Sequence, residues 1–426
     1  MYNCKKVGFL EVILFQVKEQ VLNFLRVNKM KIREILISII SLLTLLLVFS
    51  GVALADPSPS FYKELKQIDV FHPPTDSKQI PLYNEWHYFN VMDEKQLFSI
   101  ICTFKLNENR DESEIRLGCY GNDGNSNTYF KAYPLSIAKY SSETPDVTIA
   151  NNTVRLTPEG YSVHIASDDG TQVLDALFKP EAEPSPELSA NGLSQGEVIN
   201  WIVASPKMEV NGKFIVNGKN YTLNNATGYH DHNWGYWNWR DLGWDWGQVI
   251  QTRYHLDGND KEKYSINFGN ITDPDYTRSL TSVLNVWRNR EVIATFTNKD
   301  MQVNHSNFVT GDISPSPRVI LPGDKFPLPL STNVVVSSSL GDNLNIKFTT
   351  DAGHSAPISI TIPMFDTDGN LIKDSNGNVI TEFRIILEMI GTYQVDGKIK
   401  GKPISFTSNG FMEYVSGEPV SPQIKS

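Results

Sequence analysis

From about residue 85 onward, apolar residues come in short β-branched and aromatic runs separated by Gly, Asn, Asp and Pro. No window there sustains the three-to-four-residue spacing of an amphipathic helix, so the pattern predicts an all-β chain. In KMEVNGKFIVNGKNYTL, the pairs Asn211-Gly212 and Asn217-Gly218 flank a four-residue run, the signature of a meander of tight hairpins. QVDGKIKG repeats the device at Asp396-Gly397. Two Pro-dense stretches break the rhythm, EAEPSPELSANGLSQGE (181–197) and ISPSPRVILPGDKFPLPLS (313–331), and both read as long loops. NEWHYFNV and GWDWGQVIQ echo one another, each a Trp-bearing run followed by a strand-like one. Two antiparallel β-domains are therefore expected, 56–240 and 241–426, a division that also suits a chain of 426 residues.

The N-terminus follows another pattern. From Met30 the chain supplies Lys31 and Arg33, an apolar run from Ile35 to Phe49, and Ala53-Leu54-Ala55 before Asp56. That is the layout of a secretory signal with a small-residue cleavage site. Residues 1–29 carry only a weak amphipathic pattern (Leu10, Leu14, Val17, Val21, Phe24), so translation is expected to start at Met30 and residues 1–55 to be a targeting segment. Retained, Ile35 to Ala55 is long enough to anchor the protein in a membrane. Either way the body is expected outside the cytoplasm, secreted or membrane-anchored.

Composition is altered by that segment. The whole chain carries 38 Lys+Arg and 48 Asp+Glu, a net charge of −10; without residues 1–55 the balance is 31 − 45 = −14. An acidic body without a Lys/Arg cluster argues against nucleic-acid binding. Three cysteines exclude a disulfide-dense scaffold and a thiolate zinc site. Cys102 and Cys119 are centred on the polar stretch NENRDESE, so a hairpin there would set them opposite one another, as a disulfide or as two buried thiols. Five sequons (Asn151, Asn220, Asn225, Asn270, Asn304) are compatible with an extracellular surface.

The richest chemistry lies in GYHDHNWGYWNWRDLGWDWGQ, Gly228 to Gln248, which holds five of the eight tryptophans, His230, His232, Asp231, Asp241 and Asp245. In an extended strand Tyr229, Asp231 and Asn233 share one face while His230, His232 and Trp234 share the other. His-x-His can bind metal, but a third ligand would have to come from His87, His164, His255 or a carboxylate, and the spacing nominates none; no metal or other cofactor is expected. The tryptophans could form a sugar-stacking platform, or plug the junction between two barrels. Asp231 could be an acid in an aromatic pocket, where apolar walls keep a carboxyl protonated and indole faces stabilise nearby positive charge. FDTDGNLIKDSNGNVI (365–380) reads as paired hairpin turns rather than a calcium loop, and His72, His305 and His354 as surface residues. No GxSxG, phosphate-binding glycine loop or dinucleotide fingerprint is present.

NEWHYFNV (84–91), WIVASPKMEVNG (201–212), GYHDHNWG (228–235) and SNGFMEYVSG (408–417) together resemble the carotenoid 1,2-hydratase (hydroxyneurosporene synthase) superfamily, including its AttH-like group. The resemblance implies two lipocalin-like antiparallel barrels packed together around a hydrophobic-ligand cavity. It implies cofactor-independent addition of water to an isoprenoid double bond, or cyclisation of a polyene, with Asp231 and Tyr229 in acid catalysis and Trp201 as the upstream tryptophan. The expected ligand-contacting set is Asn233, Trp201, Trp234, His230, His232 and Trp86, and the expected partner a hydrophobic isoprenoid or lipid-like molecule. A non-catalytic lipid carrier and a glycan-binding module are the alternatives.

Overall fold

The computed structural model describes residues 59–74, 80–107, 111–121, 127–191, 193, 196–252, 263–312, 325–364, 366, 370–375, 377 and 379–420. Residues 1–55, expected to be a targeting segment, lie outside them; among the described residues, no helix is long and apolar enough to cross a membrane. One short helix, α1 (Pro59–Ile68), precedes the strands and was not anticipated from the sequence. Proline suits its first turn, which needs no amide donor, and Leu65 is fully buried in the first core.

Most of the other described residues form antiparallel β-structure, as the hydrophobic pattern predicts. The first sheet begins with β1 (Tyr83–Asp93), β2 (Phe98–Asn107), β3 (Glu112–Gly121), β4 (Asn127–Pro134) and β5 (Ala138–Tyr140). It continues through β6 (Asp146–Ile149), β7 (Asn152–Thr157), β8 (Gly160–Ala166), β9 (Val173–Pro180), β10 (Leu188–Asn191), β11 (Val198–Val216) and β12 (Lys219–Tyr236). Its order is β4-β3-β2-β1-β12-β11-β9-β8-β7-β6-β5, with β10 added to β11. The two edges, β4 and β5, are consecutive in sequence, joined through Leu135–Ile137, and Tyr140 donates a hydrogen bond to Ser113 Oγ (2.9 Å) across the gap. The sheet thus curls nearly closed.

The second sheet contains β13 (Gly243–Ile250), β14 (Tyr264–Thr272), β15 (Ser279–Arg288), β16 (Glu291–Thr297), β17 (Met301–Asp312), β18 (Lys325–Ser337), β19 (Asn343–Pro363), β20 (Thr381–Ile399) and β21 (Lys402–Val420). Its order is β16-β15-β14-β13-β21-β20-β19-β18-β17. Here too the edges are consecutive, meeting at the turn Asn298–Asp300. The sequence echo has a topological counterpart, since β1 and β13 each lie between the next strand and the last strand of their sheet.

Several local expectations are corrected. Asn217-Gly218 does form the β11–β12 hairpin, with both residues at positive φ (51° and 76°). Asn211-Gly212 lies inside β11 at a register shift, where an added Cβ would meet the Asp175 carbonyl at 2.3 Å. Asp396-Gly397 similarly lies inside β20, and the turn falls at Lys400-Gly401. In these two cases glycine permits close backbone approach rather than reversal. The 181–197 stretch contains β10 and clasps the second sheet: Trp287 donates to the Glu183 carbonyl (2.9 Å), and the Val292 amide to Glu183 Oε1 (2.7 Å). The second Pro-dense stretch becomes strand from Lys325, with Pro327 and Pro329 paired against β17.

The β2–β3 register sets Cys102 opposite Leu117 and Cys119 opposite Ile100, so the two cysteines are offset, form no disulfide and are both buried. Of the five sequons, Asn151, Asn220, Asn225 and Asn304 are exposed. Asn270 is buried and holds Asp245 through its amide (2.9 Å), so it cannot carry a glycan.

Three apolar clusters organise the core: one inside each sheet and a third where the sheets pack together. The third contains Tyr88, Trp201, Tyr229, Trp237, Trp239, Trp244 and Trp246. Strands β1 and β13 and the second half of β12 are consequently buried on both faces, which puts their polar side chains out of water.

Candidate active site

Alternation along β12 sorts the Gly228–Gly235 block as the sequence predicts. His230, His232 and Trp234 enter the first barrel, while Tyr229 and Asp231 face the second sheet. Asp231 Oδ2 accepts hydrogen bonds from the Tyr229 hydroxyl (2.8 Å) and Trp201 Nε1 (3.1 Å). Tyr88 lies opposite Asp231 in the β1–β12 register and donates to Glu388 Oε1 (2.8 Å). Glu388 on β20 stands directly across from Glu413 on β21, whose Oε2 accepts from Trp244 Nε1 (2.9 Å). Three carboxyl groups from three strands of two sheets therefore meet among indole and phenol rings; the Tyr229 and Trp246 rings, for example, lie edge to face at 5.5 Å.

Directly opposed side chains on neighbouring strands have Cβ atoms about 5 Å apart, so Glu388 and Glu413 disfavour each other's ionisation. Burial is the largest influence on all three acids. It raises Asp231 to about 6, against the hydrogen bonds from Tyr229 and Trp201 and the charges of His230 and His232. It raises Glu388 to about 8, with Asp231 adding to the rise and Tyr88 and Arg116 opposing it. Glu413 is pushed well above the carboxylate range by burial and then by Glu388 and Asp231. Burial likewise raises the Tyr88 and Tyr229 hydroxyls, which stay neutral donors. Near neutral pH the cluster combines protonated glutamic acids with a mostly ionised aspartate, the divergence that separates acid from base in one site.

A half-open pocket of about 630 Å³, counting the solvent at its mouth, reaches this cluster. Trp86, Tyr88, Ile101, Trp239 and Ile386 supply its apolar wall, and Lys105, Glu114, Arg116 and Glu413 its charged groups. Lys105 Nζ stands 5.5 Å over the Trp86 ring. Of the three clustered carboxyls, Glu413 is the one on the wall; Asp231 is connected to it through Tyr88 and Glu388.

Of the sequence-nominated residues, the structure gathers Asp231, Tyr229 and Trp201 into one hydrogen-bonded unit and sets Trp86 on the pocket wall. Asn233 is buried, opposite Trp86 in the register. Trp237, Trp239, Trp244 and Trp246 are at most 4% exposed, so they fill the junction between the sheets and cannot form a sugar-stacking platform. His72 is half-buried, stacked on Trp234 with centroids 3.8 Å apart. His305 has a side chain 9% exposed and contacts Asp245 (3.1 Å), so neither histidine is the surface residue expected. The side chain of His354 lies outside the described residues. Sequence reading missed Tyr88, Glu388 and Glu413. A signal existed: in RIILEMIG and GFMEYV a lone glutamate interrupts an otherwise apolar strand.

No family model matches the chain, and no curated protein sequence does. Among solved structures, the chain is similar to an AttH from Nitrosomonas europaea, at 14% identity and a TM-score of 0.44, covering 78% of this chain and 92% of that one. It is similar to kievitone hydratase from Nectria haematococca at 13% identity and a TM-score of 0.49, covering 82% and 94%. A third is CghA, solved with Sch210972, at 9% identity and a TM-score of 0.46, covering 82% and 94%. Values this low carry no chemistry across.

Proposed function

We propose that the protein binds an isoprenoid or lipid-like unsaturated molecule between its two sheets and hydrates or cyclises it by acid catalysis without a cofactor. On the Met30–Ala55 segment, we place this activity outside the cytoplasm. The observation that carries the reading is the buried carboxyl cluster, held protonated at neutral pH and opening through Glu413 onto an aromatic-walled pocket. Neutral Glu413 donates its proton to one carbon of a double bond. The faces of Trp86, Tyr88 and Trp239 stabilise the cation that forms. Water adds to the cationic carbon and returns a proton to the Glu413 carboxylate; in cyclisation a second double bond of the same molecule first traps the cation, and the new cation so formed loses a proton to the Glu413 carboxylate. Asp231, kept ionised by Tyr229 and Trp201, holds the neighbouring glutamates in their acid form. General-acid catalysis of this kind supplies a factor of about 10²–10⁴.

Native mass spectrometry with lipid extraction identifies the bound molecule, and Glu413→Gln tests the chemistry. The variant is expected to retain the molecule and lose turnover by that factor. A co-purified molecule that wild type never alters would establish a carrier instead, with the pocket serving for storage.

A further inference from the structure

We infer that the first barrel contains a binding site for a zinc-class divalent cation, built from Asp69, His87, His230 and His232 on the face of β12 turned away from the carboxyl cluster. Asp69 follows α1, His87 is on β1, and His230 and His232 are on β12; all four are at most 2% exposed. His230 Nε2 lies 3.0 Å from Asp69 Oδ2, His232 Nδ1 3.1 Å from Asp69 Oδ1, and His87 Nδ1 3.4 Å from Asp69 Oδ1. Ligands bonded tetrahedrally to zinc at about 2.0–2.1 Å stand about 3.3 Å from one another, and the three nitrogen-to-carboxylate distances, two to Asp69 Oδ1 and one to Oδ2, bracket that spacing. Asp69, His87 and His230 each present a ligand atom within 4.8 Å of the other two.

Hydrogen-bond accounting points the same way. His230 Nδ1 is 2.9 Å from the Tyr88 carbonyl, which can only accept, so that nitrogen carries the hydrogen. In a neutral ring, Nε2 then presents a lone pair to Asp69 Oδ2, an oxygen already accepting the Tyr161 hydroxyl (2.6 Å). His232 repeats the situation: Nε2 donates to Glu85 Oε1 (2.9 Å), leaving the Nδ1 lone pair directed at Asp69 Oδ1. Asp69 Oδ1, His87 Nδ1 and His232 Nδ1 are all buried without a hydrogen bond. Lone pairs converging on one carboxylate repel unless a cation lies among them. A cation there is the simplest way to satisfy every group, and imidazole with carboxylate is the donor set of zinc rather than of calcium or magnesium. Glu85 and the Tyr88 carbonyl hold the outer nitrogens of His232 and His230, the supporting arrangement that fixes ring orientation in metal sites. The competing arrangement has two imidazolium rings balanced by Asp69 and Glu85 with no metal.

Metal analysis of the full chain, purified without chelator, separates the two. One zinc ion per chain is expected in wild type and in His305→Gln, a buried-histidine control in the second sheet. Asp69→Asn and His87→Gln are expected to lose it, and Glu85→Gln to keep it with affinity lowered by about 10–100-fold against a competing chelator. Should Asp69→Asn or His87→Gln fail to fold, cobalt added to chelator-stripped wild type gives the readout, as the visible absorption of tetrahedral Co²⁺. Stripped wild type that takes up neither zinc nor cobalt would overturn the site, as would stoichiometric metal persisting in folded Asp69→Asn and His87→Gln. Neither readout depends on turnover.

Discussion

Glu388→Gln is expected to stabilise the protein at neutral pH while removing part of its acid cluster. Burial lifts the native Glu388 carboxyl to about 8, against an ordinary value of 4.5. At pH 7 folding must therefore restore a proton that the unfolded chain has released. The interval from 4.5 to 7, at about 1.36 kcal/mol per pH unit, sets about 3 kcal/mol against the native state. Glutamine does not ionise and escapes that penalty. Its oxygen can still accept the Tyr88 hydroxyl, but its amide hydrogens meet the position of Glu388 Oε2, which has no hydrogen-bond partner. That unsatisfied donor returns about 1 kcal/mol, leaving a net gain of about 2 kcal/mol. The sign follows from a raised carboxyl. Below 4.5 both states hold the proton and the gain vanishes; it grows as pH rises and levels off above about 8, where native Glu388 ionises as well. Urea unfolding of wild type and variant at pH 5 and pH 7 measures it: a higher midpoint for the variant at pH 7, and near coincidence at pH 5. A variant less stable by the same amount at both pH values would refute the reasoning, because Glu388 would then be an ordinary hydrogen-bonding side chain whose proton does not matter.

Two further outcomes follow from the same site. The pH profile of kcat/KM is expected to be level at acid pH, where the glutamates hold their protons, and to fall at alkaline pH as Glu388, raised to about 8, and the coupled Glu413 lose them. Tyr229→Phe removes a hydrogen bond that favours the Asp231 carboxylate, so the Asp231 carboxyl should titrate at higher pH in the variant when followed by side-chain carboxyl NMR; an unmoved titration would show that the Tyr229 hydroxyl does not hold it. Gly247→Ala would place a Cβ 2.5 Å from Phe268 Cε1 and 2.5 Å from the Tyr393 hydroxyl, and is expected to lower stability by about 1–3 kcal/mol in thermal unfolding.

Much of the fold was legible in the chain. Runs of β-branched residues between turn residues identify an all-β protein because a pleated strand has a two-residue period and a hairpin needs residues tolerant of positive φ. Turn position was less legible: Asn217-Gly218 reverses the chain, whereas Asn211-Gly212 and Asp396-Gly397 do not. The sequence cannot distinguish a glycine that bends from one that lets a neighbouring backbone approach. The register at Cys102 and Cys119 escaped for a related reason, since where the chain reverses decides which residues end up opposite.

Within the candidate site, sequence alone determined that Tyr229 and Asp231 share a face and that His230 and His232 share the other, because alternation along a strand is a local property. It could not supply the partners. Glu388 and Glu413 reach Asp231 only when the second sheet packs on the first, and Asp69 and His87 reach the two histidines only when α1 and β1 close over β12. Those encounters span up to 182 positions of the chain (Asp231 to Glu413) and leave no spacing to read. Burial has the same origin. A lone acid in an apolar run is visible in the sequence, but its protonation depends on how much water the opposite sheet excludes, which is decided by tertiary packing.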